Sequence, residues 1–243
     1  MPALATFLIL SVWELLGDAI GQRSGALPAP SRILTEIWRQ MDALQQNALA
    51  TGVATVLGLL VAVGISALGG LLAFSSAGMR RTVELTARHC YQIPLVAVAP
   101  LLTVWFGFSL KSKMAVAALF AAAPMMGAVG AGIGGLPAEL WDWLRTVPAS
   151  RKDRILNIYL PAGLRFLFQR LEFAAVLALS GTLVGELISA DRGLGYLLLL
   201  GTATSDTPFV FATVAVTLAV AAVLLGAARF LELRVIRWPV RGS

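Results

Sequence analysis

The sequence predicts an all-α integral membrane protein of about six transmembrane helices, and three observations predict it. Of its 243 residues, 58% are hydrophobic and 13% charged, with a mean hydropathy of +0.82, which leaves too little polar surface to cover a soluble globule. The apolar residues gather in blocks about 20 residues long, the length a helix needs to cross a bilayer. Arg and Lys sit in short clusters beside those blocks, so the net charge of +6 reads as topology and not as the continuous basic face of a nucleic-acid binder.

Six windows approach the spanning length, at approximately 3–22, 49–74, 91–109, 114–136, 164–189 and 209–232, in one domain covering 1–243. The first carries Glu14 and Asp18 at i, i+4 spacing and is expected to end near Asp18. No Lys or Arg precedes its apolar run and no small-residue cleavage pattern follows, so it does not read as a cleaved signal peptide. Pro28 and Pro30 then break the chain. Ser31 is the expected N-cap of a helix over about 31–46, in which Ile33, Leu34, Ile37, Trp38, Met41 and Leu44 alternate with Arg32, Glu36, Arg39 and Asp42. That amphipathic helix belongs either at the membrane surface or packed on the bundle.

Small residues line the later windows. Gly58, Gly64, Gly69 and Gly70 lie in the second, Gly127, Gly130 and Gly134 in the fourth, and Gly181 and Gly185 in the fifth, a pattern that permits close helix approach. Pro94, Pro100 and Pro124 remove backbone donors in or near spans and are expected to bend them. The single Cys90 has no partner for an internal disulfide, and the single His89 lacks neighbouring ligands for a metal.

The basic residues orient the chain. With a cytoplasmic N-terminus, the cytoplasmic side holds Arg80, Arg81, Arg88, Arg145, Arg151, Lys152, Arg154, Arg165, Arg170, Arg229, Arg234, Arg237 and Arg241. The other side holds Arg23, Arg32, Arg39, Lys111, Lys113 and Arg192, a bias of about two to one that puts both termini inside.

The cytoplasmic segment after the fourth window is the most informative. From Glu139 to Asn157 it places Trp141, Leu144 and Val147 beside Asp142, Arg145, Arg151, Lys152, Asp153 and Arg154, with Pro148 between two expected short helices and Leu160-Pro161 before the next span. This order resembles the coupling loop of binding-protein-dependent ABC importer permeases. Their pattern runs Glu-Ala-Ala, three residues, Gly, nine residues, Ile, one residue, Leu-Pro. Here Asp142, Trp143 and Leu144 stand at Glu-Ala-Ala, Pro148 at Gly and Ile158 at Ile. Further pieces resemble the nitrate/sulfonate/taurine branch: Pro28-Ala29-Pro30-Ser31, Ile93-Pro94 through Pro100 with Trp105-Phe106-Gly107, Ala149-Ser150-Arg151, and Gly185-Glu186 followed by Gly193-Leu194-Gly195-Tyr196. The match runs from about Pro28 to Trp238. The departures are Pro148 for glycine, Trp143 and Leu144 for two alanines, and Glu172 where many relatives carry a basic residue.

The resemblance implies a type I ABC importer permease in the bacterial inner membrane. Two copies, as a homodimer or with a similar chain, would form the pathway; two cytoplasmic ATPases would drive it, and a separate binding protein would deliver a small polar or anionic solute. The chain is then a transport subunit and not an enzyme. It has no GxxxxGK[ST] phosphate loop, so it is expected to bind no cofactor, with ATP and Mg on the ATPase. The implied ATPase contact comprises Asp142, Arg145, Pro148, Ala149, Ser150 and Arg151, within a loop over about 139–161 closed by Leu160 and Pro161. Candidate pathway residues are Thr103, Trp105, Ser180, Thr182 and Glu186, the last because an intramembrane ionisable residue is a functional hypothesis by default. Asp191 to Pro208 is expected to re-enter or cover the mouth. A secondary transporter or channel would show paired buried charges or an inverted repeat, neither of which is evident. An intramembrane enzyme would need converging catalytic groups, and the chain has no HExxH or GxSxG.

Overall fold

The computed structural model describes residues 2–24, 27–73, 76–90, 92–134, 139, 142, 146, 150–154, 156, 160–189 and 191–235. These are helical with short connections: α1 (Pro2–Ser24), α2 (Pro30–Arg39), α3 (Met41–Ala73), α4 (Ala77–Cys90), α5 (Leu95–Phe106), α6 (Leu110–Gly134), α7 (Arg151–Arg154), α8 (Leu160–Gln169), α9 (Leu171–Ser189), α10 (Leu194–Ala203) and α11 (Thr207–Val235).

Four of them, α3, α6, α9 and α11, are long and apolar enough to cross a membrane among the described residues, and the bent pair α4–α5 raises the number to five. The six expected windows therefore do not become six equal helices. Window 91–109 shrinks to α5, about 18 Å long against a hydrocarbon layer of about 30 Å, and α5 is bent 97° from α4. Pro94 sits at its N-cap and Pro100 inside it. In α1 the described side chains of Ala5–Gly17 form a short apolar helix. Window 164–189 is cut by a turn at Arg170 into α8 and α9.

The surface helix also ends sooner than its periodicity indicates. Gln40, with φ −106° and ψ 18°, interrupts the pattern after Arg39. Met41 and Leu44 open α3 instead, and Leu44 is fully buried there. The α2 N-cap is Ala29, with Pro30 in the first turn, and not Ser31. Ala29 has no side chain to satisfy the orphan donors, so Glu14 of α1 takes over. Its carboxylate accepts from the Ser31 N–H at 3.1 Å and from Ser31 Oγ at 2.5 Å. Glu14 is thus a cap for its neighbour, and the side chain of Asp18 lies outside the described residues.

The core forms where α3, α6 and α9 cross. It is built mostly of small side chains, with Ala62, Ala117, Ala121, Ala174 and Ala178 buried beside Met125 and Val129. A Cβ on Gly181 would lie 2.9 Å from the Val116 carbonyl oxygen, so the helices meet backbone to backbone at this point. A second cluster, Leu44, Leu194, Leu197 and Phe209, seats α10 against α3 and α11. By contrast α11 is peripheral, with 17% of its apolar window buried.

Candidate functional site

Where α10 meets the ends of α3, α6 and α9, the bundle holds a buried polar group. Glu186 of α9 is 0% exposed. The Thr51 hydroxyl donates to both carboxylate oxygens, at 2.9 and 3.0 Å, and the Gly195 N–H donates to Oε2 at 2.9 Å. Thr51 in turn accepts the Leu194 N–H at 2.8 Å, and Asn47 Oδ1 accepts the Gly193 N–H at 2.6 Å. One turn deeper, Thr55 donates to the Thr182 oxygen at 3.0 Å, and Thr182 closes onto the Ala178 carbonyl.

The local sequence explains the arrangement. Gly193 is the N-cap of α10, with φ 115° and ψ 170°, a region essentially reserved for glycine, and it offers no capping side chain. The exposed N–H groups of the first turn therefore need acceptors from elsewhere, and Asn47, Thr51 and Glu186 supply them. A carboxylate there also faces the positive end of the helix dipole. A Cβ on Gly193 would collide with that carboxylate, and one on Gly195 would press on the Leu183 carbonyl and on Glu186 itself.

An ion pair flanks the group. Lys113 of α6 is buried, and its Nζ donates to Asp191 Oδ1 at 2.5 Å and to the Arg192 carbonyl at 2.8 Å. Burial raises the Asp191 pKa, but the hydrogen bond and charge of Lys113 outweigh it and hold the carboxyl below its ordinary range.

Of the sequence-derived pathway residues, Thr182 and Glu186 come together in this group. Thr103 is buried and donates to Ala99 within α5, while Trp105 on the same helix is 71% exposed. Ser180 closes onto Val176 within α9. In the expected coupling loop, Arg145, Pro148 and Ala149 lie outside the described residues, as do the side chains of Arg151 and Leu160. Asp142 is exposed, Leu160 opens α8 and Pro161 is exposed in its first turn. Ser150 is exposed and caps α7: its Oγ accepts the Asp153 N–H at 3.1 Å and donates to Asp153 Oδ2 at 2.5 Å.

Sequence reasoning missed Asn47, Thr51, Lys113 and Asp191. In the sequence Lys113 reads only as a topological charge, and nothing local connects Thr51 to a carboxylate 135 positions away. Among the described residues, no group of His, Cys, Asp and Glu is arranged to hold a metal.

The profile of the family described as "Binding-protein-dependent transport system inner membrane component" matches residues 65–237. The chain is 29% identical over 233 residues to the riboflavin transport system permease protein RibX of Chloroflexus aurantiacus, covering 95% of this chain and 87% of that one. It is 26% identical over 233 residues to the putative aliphatic sulfonates transport permease protein SsuC of Bacillus subtilis, covering 95% and 84%. In fold it is similar to a chain of the MetNI methionine ABC transporter in inward-facing conformations, with a TM-score of 0.63 and 16% identity over 83% of this chain and 98% of that one.

Proposed function

Because the chain belongs to the family of binding-protein-dependent transport system inner membrane components, we propose that it works as one half of a symmetric pathway, two copies engaging two cytoplasmic ATPases. The chain is the permease subunit of an ATP-driven ABC importer, a transport subunit and not an enzyme. The family match over residues 65–237 carries this reading, and it makes a secondary transporter or channel the poorer explanation.

The finer assignments follow from chemistry. Six crossings, at α1, α3, the α4–α5 pair, α6, α9 and α11, leave both termini on one side of the membrane, and the bias of the basic residues supports the cytoplasmic side. The segment from Asp142 to Pro161 then faces the ATPase, with Asp142, Arg145, Pro148, Ala149, Ser150 and Arg151 at the contact and Leu160 and Pro161 linking it to α8. The exposed Ser150 cap supports that role, because it fixes the start of a short polar helix without burying it in the bundle. ATP and Mg sit on the ATPase. Closure of the two ATPases moves this lever and tilts the spans between inward-open and outward-open states. On the opposite face, α10 and its flanks meet the binding protein. The solute class is small and polar or anionic, the range spanned by riboflavin and aliphatic sulfonates in the names of the relatives.

The test is affinity purification of the tagged chain in mild detergent with an ATPase assay of what accompanies it. An ATPase that co-purifies, and is lost on changing Asp142 or Arg151, supports the importer reading. A stable assembly without an ATPase sinks it.

A further inference from the structure

Glu186 is a fully buried carboxylate that accepts from the Gly195 N–H and from the Thr51 hydroxyl, whose oxygen also accepts the Leu194 N–H. Such a group is costly to bury and persists only where its partners compensate it. The partners come from two directions. Thr51 and Asn47 belong to α3, whereas Gly193, Leu194 and Gly195 are the start of α10. Beside them Lys113 ties α6 to Asp191 and the Arg192 carbonyl, the residues that lead into α10. Glu186, Thr51 and Asn47 thus hold the start of α10 to the spans, and Lys113 holds the residues that lead into it. Leu194 and Leu197 add an apolar seat with Leu44 and Phe209.

We infer that Glu186 is a positioning residue, which caps α10 from within α9 and clamps that short helix onto α3, while Lys113 ties the residues leading into it to α6, so that α10 and the ends of these three spans work as one rigid unit. The carboxylate is required as an acceptor for backbone donors and does not touch the transported solute. Gly193 and Gly195 are the complementary half of the device, since a side chain at Gly193 would occupy the space of the carboxylate and one at Gly195 would press on the Leu183 carbonyl and the Glu186 Cβ. The role of this unit in the transport cycle rests on the importer reading; the clamp itself does not.

The experiment uses the full chain with its ATPase in lipid nanodiscs and compares wild type, Glu186→Leu and Glu186→Gln. Loss of the acceptor in Glu186→Leu raises amide exchange at Leu194 to Leu197 by about tenfold or more while the interior of α6 stays unchanged. Glu186→Gln keeps an oxygen for the Gly195 N–H and recovers most of the protection. Turnover of ATP per assembled complex, measured without solute, falls by about threefold in Glu186→Leu with an unchanged KM for ATP, and Glu186→Gln restores it. Unchanged exchange at Leu194 to Leu197 in both variants overturns the clamp, and wild-type basal turnover in Glu186→Leu overturns its role in the transport cycle. Thr51→Val provides the same comparison if Glu186→Leu fails to fold. A wild-type chain that binds no ATPase overturns the importer reading, and the exchange comparison still decides the clamp.

Discussion

The group around Glu186 and the segment around Ser150 use the same chemistry, a hydroxyl and a carboxylate at the start of a helix, in opposite surroundings. In the first, Thr51 and Glu186 come from two long helices and cap a third, and Glu186 is fully buried. In the second, Ser150 and Asp153 are three residues apart, cap their own helix and are exposed. A buried cap reaches across the fold and holds elements together. An exposed, self-contained cap shapes a short helix and leaves its surface for something else. Glu14, which reaches from α1 to Ser31 at the start of α2, is an intermediate case: it joins two elements and its bonds are exposed.

The sharpest way to break the buried member is Gly193→Ala. The added methyl meets the Glu186 carboxylate in a backbone conformation that disfavours any side chain, and the expected cost is about 2–5 kcal/mol. Thermal unfolding of the purified chain in detergent should show a large drop in midpoint. A midpoint equal to wild type would mean that α10 is not held as described.

Next in size, Arg151→Glu should leave the unfolding midpoint unchanged and reduce ATPase association by about tenfold or more, because it reverses a charge at the proposed contact. Co-purification with an ATPase assay reads both halves. Transport and association equal to wild type would remove Arg151 from the contact.

The contrast also explains what was legible in the sequence. The hydrophobic windows at α3, α6, α9 and α11 could be read because a membrane imposes length and composition on each helix separately. The bend between α4 and α5 was not legible, since Pro94 signals a break without saying whether the two pieces form one crossing. Glu186 stood out as an acid near the end of a span, but its bonding to Thr51 depends on how α3 lies against α9, a long-range property. The Ser150 cap is the reverse case. Ser150 and Asp153 have the spacing of a capping box, a signal carried by four consecutive residues and so local to the sequence.

Ser150→Ala is accordingly a smaller perturbation. Losing one N-cap costs about 1 kcal/mol, confined to α7. If that helix is presented to the ATPase, affinity for the ATPase should fall by about fivefold, with no change in the global unfolding midpoint. Equal affinity with a frayed α7, seen as faster exchange at Lys152 and Asp153, would separate the cap from the contact.

Asp191→Asn should have the smallest effect at neutral pH, because the Asp191 side chain is 38% exposed and solvent screens its pairing with Lys113, leaving less than about 1 kcal/mol. Its signature is in the pH dependence. The folded pKa of Asp191 lies below its ordinary value, so the unfolded chain takes up the proton first as pH falls. The contribution is complete above the ordinary carboxylate range and is lost below about pH 4, as the folded carboxyl is protonated. Wild type should therefore lose stability on that acid limb more steeply than Asp191→Asn, and the two curves should converge at the lowest pH. Parallel curves would mean that Lys113 is held by the Arg192 carbonyl alone, and that the ion pair adds nothing to the clamp.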